Sequence, residues 1–112
     1  MEDVNEMIQS LSQELRRGTI VLCVLSQLNK PEYGYTLVKK MEDKGMRVDT
    51  NTLYPLLRRL EKQSILISEW ETDSNKPRKY YKRTVFGDEV YHTLLQQWQE
   101  LTSCIETMVK EE

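Results

Sequence analysis

A mainly α-helical chain with a two-stranded β wing is what the sequence predicts, and three observations carry that prediction. Apolar residues recur at helical steps across residues 4–29, 34–44, 50–63 and 85–110. Residues 65–72 instead alternate, with Leu66, Ser68 and Trp70 on one side and Ile67, Glu69 and Glu71 on the other, the period of a strand. The turn DSNKP breaks that run. The return strand over 78–84 completes a hairpin in which Lys76, Arg78, Lys79, Lys82 and Arg83 put five cations into eight residues. A helix with a basic outer face followed by a positively charged hairpin is the profile of a winged helix-turn-helix. Residues 1–84 are read as that domain with its N-terminal helix, and 85–112 as a C-terminal dimerisation helix.

In the first helix Val4, Ile8, Leu11, Leu15, Gly18, Leu22 and Leu25 alternate steps of four and three. After Gly18 the run TIVLCVL is apolar all round, a core element; the half before it has one sticky face that needs a neighbour, here another subunit. Pro31 ends this helix and EYGY opens the next, where Tyr33, Leu37 and Met41 share a face and Gly45 is the stop. Asp49 is the N-cap candidate for residues 50–63. Leu53, Leu56, Leu57 and Leu60 form the buried face of that helix. Asn51, Pro55, Arg58 and Lys62 form an outward stripe, flanked by Tyr54 and Arg59. Pro55 leaves two alternatives: the helix starts later than Asp49, or it loses a hydrogen bond near its start. Thr84 caps the last helix, whose Leu94, Trp98, Leu101, Ile105 and Met108 follow a coiled-coil seam. That seam and the Val4, Ile8, Leu11 stripe are the expected homodimer interface.

Charged residues at 30% and hydrophobic ones at 38% fit one folded domain rather than a disordered chain. No apolar run approaches the roughly 18 residues of a membrane span. The opening MEDVNEM is acidic and lacks the order of a secretory leader, so a cytoplasmic setting is expected, with Cys23 and Cys104 reduced and buried. The net charge of −2 conceals a strong separation. Residues 30–83 hold thirteen Lys and Arg against eight acids, a balance of +5, whereas residues 84–112 hold one Lys against six acids, a balance of −5. Phosphate binding depends on the local field, so the basic middle matters more than the total.

Cations that neutralise phosphates release counterions and give affinity without sequence information. Arg58, Lys62, Lys76, Arg78, Lys79 and Lys82 are suited to that role. Thr50, Asn51 and Thr52 are the candidates for reading base edges, because Asn pairs bidentately with adenine and Thr meets a thymine methyl. Thr50 has an equal claim to a helix-start hydrogen bond, and Arg59 is read as the ion-pair partner of a nearby acid. Tyr80 and Tyr81 point to opposite faces, one into the core, and Trp70 is expected to anchor the wing. An enzyme lacks its parts: His92 is the only histidine, there is no Gly-rich phosphate loop, and no catalytic residue, metal or cofactor is assigned.

Taken in order, GYTLVKKME, TLYPLLRRLEK, ISEW and PRKYYKRT resemble the PadR family of transcriptional regulators. RGTIVLCVLSQL before them and Gly87 after Thr84 extend the resemblance over roughly residues 16–110. The combination of TLYPLLRRLE with a downstream PRKYY is its specific part, and the single C-terminal helix is similar to the small-size branch. The resemblance implies a dimeric winged-helix repressor whose 50–63 helix enters the major groove of operator DNA while the wing meets the backbone or minor groove. It implies DNA-facing roles for Tyr35, Tyr54, Lys76, Arg78 and Lys79. Two positions depart from the family pattern. Ser64 replaces the glycine usual after the recognition helix, and Arg83 replaces the leucine usual before the capping threonine. Arg83 is then either an added phosphate contact or an exposed change of no consequence. Trp98 is either plain dimer core or, near a two-fold axis, half of an indole sandwich for a planar aromatic effector.

The expected function is therefore a sequence-specific, homodimeric repressor released by a small molecule. The alternative is a winged helix used for protein assembly without DNA. The cation count of the wing favours DNA, since a protein-docking hairpin has no need of all five.

Overall fold

The computed structural model describes residues 3–73 and 75–112. The elements in chain order are α1 (Val4–Arg16), α2 (Thr19–Ser26), β1 (Glu32–Tyr33), α3 (Gly34–Asp43), α4 (Thr50–Lys62), β2 (Leu66–Glu71), β3 (Arg78–Arg83) and α5 (Val85–Lys110). The core is built by Val24, Leu25 and Leu28 from α2 and its exit, Leu37 and Met41 from α3, and Leu53, Leu57 and Leu60 from α4. Leu66 and Tyr81 close it from the sheet. Each such leucine taken out of water contributes about 1.5–3 kcal/mol, which is why the all-round apolar α2 lies at the centre. Two helices leave this body. The Cα radius of gyration is 16.9 Å against about 13 Å for a compact domain of this length; α1 has no buried residue, and α5 buries only Gly87 fully.

The expected single helix over 4–29 is two. Gly18 takes φ +85°, a left-handed conformation that ends the first helical run, and the Thr19 hydroxyl donates to the Arg16 carbonyl at 2.6 Å. The break lets α2 turn into the core while the α1 stripe, which has no core to reach, stays outside. The sheet also holds one strand more than the hairpin. β3 is central, with Ser68 of β2 opposite Tyr81 and Tyr33 of β1 opposite Tyr80. β1 is two residues long, too short for any alternation to show. The predicted DSNKP turn includes Ser74, which lies outside the described residues.

Pro55 is inside α4, which starts at Thr50 with Asp49 as cap, so the helix gives up one bond: the Asn51 carbonyl has no donor four residues on. Pro55 is exposed. Trp70 does not anchor the wing. Burial falls along the inner side of β2 from Leu66 through Ser68 to Trp70, which is 61% exposed, because the hairpin leaves the core as it extends. Leu66 and Tyr81 are the anchors, and Tyr80 is the partly exposed partner of Tyr81. Cys104 is exposed rather than buried, and Cys23 is half-buried, with its thiol pKa raised by burial.

Arg83 matches neither of its two readings. Its guanidinium donates to the Leu25 carbonyl at 2.8 Å and to Asp88 at 2.9 Å, and lies 4.2 Å from the centre of the Tyr91 ring. Its own amide donates to the Leu28 carbonyl at 2.9 Å. A cation thus closes the end of α2 and joins it to β3 and α5. A leucine would keep the amide bond to Leu28 but leave the Leu25 carbonyl to another donor.

Both α3 and α4 end in the same six-residue hydrogen-bonded motif. After α3, Met46 donates to Met41 at 2.8 Å and Gly45 to Glu42 at 3.0 Å; after α4, Ile65 donates to Leu60 and Ser64 to Glu61, each at 3.0 Å. Gly45 has φ +96° and Ser64 φ +63°, so a serine occupies a position where a Cβ is unfavourable. The substitution Ser64→Gly is expected to raise stability by about 0.5–1 kcal/mol, the relief of left-handed strain less the extra freedom of glycine in the unfolded chain. Gly45→Ser should shift stability the other way, both read from the midpoint of urea unfolding.

Candidate nucleic-acid interface

The outward stripe of α4, the start of α3 and the hairpin converge on one open cleft. Gly34 begins α3 with the Tyr54 ring pressed against it: a Cβ there would stand 2.6 Å from Cε1 of Tyr54, so the ring would have to move. The Tyr54 ring therefore lies against the first turn of α3, where no side chain caps the helix. Beside it Tyr35 is 72% exposed. Tyr33, Tyr35, Tyr54, Arg58, Trp70, Arg78 and Lys79 line a cleft of about 740 Å³ in which aromatic walls carry cationic rims. Trp70 thus belongs to this face.

The hairpin is fixed to α4 through a residue the sequence did not single out. Glu61 accepts from the Ser68 hydroxyl on β2 and pairs with Lys79 Nζ on β3 at 3.4 Å. Lys79 also lies 5.4 Å from the centre of the Tyr81 ring. The charge of Lys79 is therefore shared with an acid, and a phosphate there has to compete with Glu61. Arg78 lies 5.5 Å from the centre of the Tyr33 ring, whose hydroxyl donates to Glu71. Glu69 accepts from the Tyr80 hydroxyl at 2.9 Å, and that hydrogen bond, with some desolvation, raises the phenol pKa. The acids of β2 hold the tyrosines in place rather than neutralise the wing cations. The spacing of Glu61 from Ser68 and Lys79 signals nothing until the hairpin folds back.

The other predicted residues fall as follows. Asp49 accepts from the Asn51 amide at 2.9 Å and serves as the cap, so the Thr50 hydroxyl is not needed for it and makes no hydrogen bond among the described residues. Thr50, Asn51, Thr52, Arg58 and Lys62 are all exposed on α4, and Lys76 and Lys82 on the hairpin. Arg59 is exposed and makes no ion pair, against expectation, because the nearest acid on its helix, Glu61, is turned to the wing. On the far side of the molecule Val4, Ile8, Leu11, Trp98, Leu101, Ile105 and Met108 are exposed. Leu94 instead packs partly on the chain's own core. Trp98 borders a shallow pocket of about 210 Å³ between the start of α2 and α5, with Gly18, Leu22, Leu94 and Leu101. His92 is exposed, its Nδ1 2.7 Å from the Asp88 carbonyl. Among the described residues no three His, Cys, Asp or Glu side chains could share a metal ion, and no helix is long and apolar enough to cross a membrane.

A three-helix core, a recognition-type helix capped by Asp49 and a basic hairpin define a winged helix-turn-helix protein. The sequence profile of the transcriptional regulator PadR-like family matches residues 21–93. The chain is similar to a PadR family transcriptional regulator from Eggerthella lenta DSM 2243, with 45% identity, 96% of each chain covered and a TM-score of 0.88. It is 33% identical over 76 residues to transcriptional regulator Rv3488 of Mycobacterium tuberculosis, covering 67% of this chain and 71% of that protein. Bacillus subtilis PadR, in complex with operator DNA, shares the fold at a TM-score of 0.63, with 20% identity over 71% of this chain and 48% of that one. The chain belongs to the PadR-like family of transcriptional regulators, which are not enzymes.

Gly34→Ala is expected to push the Tyr54 ring off the first turn of α3. The fold survives, because Tyr54 is only half-buried and can swing outward, at a cost of about 1 kcal/mol or somewhat more. A lower urea midpoint together with a changed emission of Trp70, which lines the same cleft, is the expected pair of results.

Proposed function

We propose that this protein is a homodimeric, sequence-specific DNA-binding regulator, a repressor that a small planar molecule releases from its operator. The observation that carries the reading is the convergence of α4, the start of α3 and the wing on one face that is open and cationic. Arg58, Lys62, Lys76, Arg78 and Lys79 supply phosphate contacts, with Tyr35 and Tyr54 as further backbone donors from the cleft. Thr50, Asn51 and Thr52 read bases from the first turn of α4, and their exposure supports that role. Residues 1–84 act as the DNA-binding unit and residues 85–112 as the dimerisation helix. The relative crystallised with operator DNA supports the same use of the fold.

The test is an electrophoretic shift and anisotropy titration with the DNA upstream of the protein's own gene and a scrambled duplex. Lys76→Ala, Arg78→Ala and Lys79→Ala together should weaken binding to both duplexes and flatten the salt slope by up to about 2.7, at roughly 0.9 per phosphate. Asn51→Ala should instead lower the ratio of specific to scrambled binding by about 1–3 kcal/mol. A protein that shifts neither duplex, yet is captured by another protein, is an assembly module.

The exposed α1 stripe and α5 seam support the homodimer, since apolar rows of that length need cover. Trp98 lies on the seam, and the pocket beside it supports an aromatic effector. A ligand releases DNA only by preferring the DNA-incompetent dimer, so DNA must weaken the ligand by the same factor. Sedimentation should give a dimer. Planar aromatic compounds should quench indole fluorescence in the wild type, less so when operator is bound, and not in Trp98→Ala above the Trp70 background. Equal quenching in the variant removes the effector role and leaves Trp98 as packing.

A further inference from the structure

Arg16 and Arg17, where α1 ends, meet Arg47 of the segment between α3 and α4 across a cavity of about 550 Å³ that also reaches Asp49 and Thr52. The wing plays no part in it. The balance of partners there is uneven. Arg16 Nη2 donates to two neutral acceptors, Met46 Sδ at 3.2 Å and the Arg47 carbonyl at 3.4 Å. Arg17 makes no ion pair, and Arg47 reaches one exposed acid, Glu42, at 3.5 Å while its side chain stays 86% exposed. Asp49, which caps α4 by accepting from the Asn51 amide at 2.9 Å, brings one negative charge to a lining with three guanidinium groups. Three guanidinium groups held around one opening repel each other, and the carboxylates within reach do not offset them. A polyanion does, and a guanidinium fork matches a phosphate in geometry as well as charge.

We propose that Arg16, Arg17 and Arg47 form a second DNA-backbone contact at the start of α4, so that each protomer grips phosphates on both sides of its recognition helix. The proposal rests on the DNA-binding reading above and adds to it. The occupant is DNA rather than a small anion because the patch is continuous with Thr52 on the exposed face of α4 and is open along that side. The break at Gly18 has a consequence here: it ends α1 beside the recognition helix, which brings Arg16 and Arg17 to Arg47 although some thirty residues separate them in sequence.

The test uses the full chain and two duplexes, one enriched from a random pool by the wild-type protein and one scrambled. Arg16→Gln, Arg17→Gln and Arg47→Gln together should weaken both complexes and reduce the salt slope by up to about 2.7. Combined with the wing variant, the loss in slope should add, because the two patches lie on opposite sides of α4. Arg47→Gln alone should cost about one contact and Arg47→Lys close to none. These single variants carry the test should the triple variant fold poorly, since Arg47 is a surface side chain. Wild-type slope and affinity in Arg47→Gln and the triple variant, with the wing variant still impaired, overturn this proposal alone. A wild-type protein that enriches no duplex from the pool and does not bind the scrambled one overturns it together with the DNA-binding reading.

Discussion

Four chain segments meet at one point, where α4 ends, β2 begins, β3 ends and α5 begins. Thr84 holds that point. Its amide donates to the Ile65 carbonyl at 3.1 Å, its hydroxyl donates to the Ser64 carbonyl at 2.6 Å, and the same oxygen accepts from the Gly87 amide at 2.8 Å to start α5. Gly87 is required because a Cβ would fall 2.0 Å from the Ile65 oxygen. Ser64 accepts a left-handed conformation so that the strand can leave α4 there at all. If this junction loosened, α4, the wing and α5 would lose their common reference.

Arg83, one residue earlier, extends the same junction to α2 through the Leu25 carbonyl and to α5 through Asp88 and Tyr91. Glu61, three residues before Ser64, extends it outward to the wing through Ser68 and Lys79. The route from α5 to the wing is therefore a short run of hydrogen bonds and ion pairs between rigid elements. A shift of α5 would move the wing with it. It is the route by which the effector proposed beside Trp98 would act on the proposed DNA face.

Charge on the surface of α4 and the hairpin is distributed by partner rather than by density. Lys79 is partly neutralised by Glu61 and so fixes the wing to α4. Arg83 is withdrawn from solvent and serves the scaffold. Arg58, Lys62 and Lys82 remain exposed, and the arginines at the other end of α4 add a cationic group that does not belong to the hairpin. A count of cations along the hairpin overstates the wing and overlooks its counterpart, because ion pairs with distant acids do not show in a local window.

Most of the fold was legible because it follows from local rules. Helical periodicity, the Asp49 and Thr84 caps, the Gly45 stop and the period of β2 depend on neighbours within a few residues; the two caps and the stop appear as read, α3, α4 and α5 form near the expected bounds, and β2 is a strand whose alternation of burial holds over Leu66–Glu69. The outward stripe of α4 followed from the same periodicity and is exposed along its length. What failed depends on distance. The break at Gly18, the exposure of Trp70, the burial of Arg83 and the role of Glu61 are set by which segment passes alongside, and no spacing along the chain encodes that. Sequence alone determined a winged helix-turn-helix, since its elements are specified by short-range chemistry, and the resemblance of its motifs pointed to the PadR type. Only the tertiary structure decided which cations face outward and which hold the molecule together, because a charge is committed by the acid, carbonyl or ring that folding brings to it.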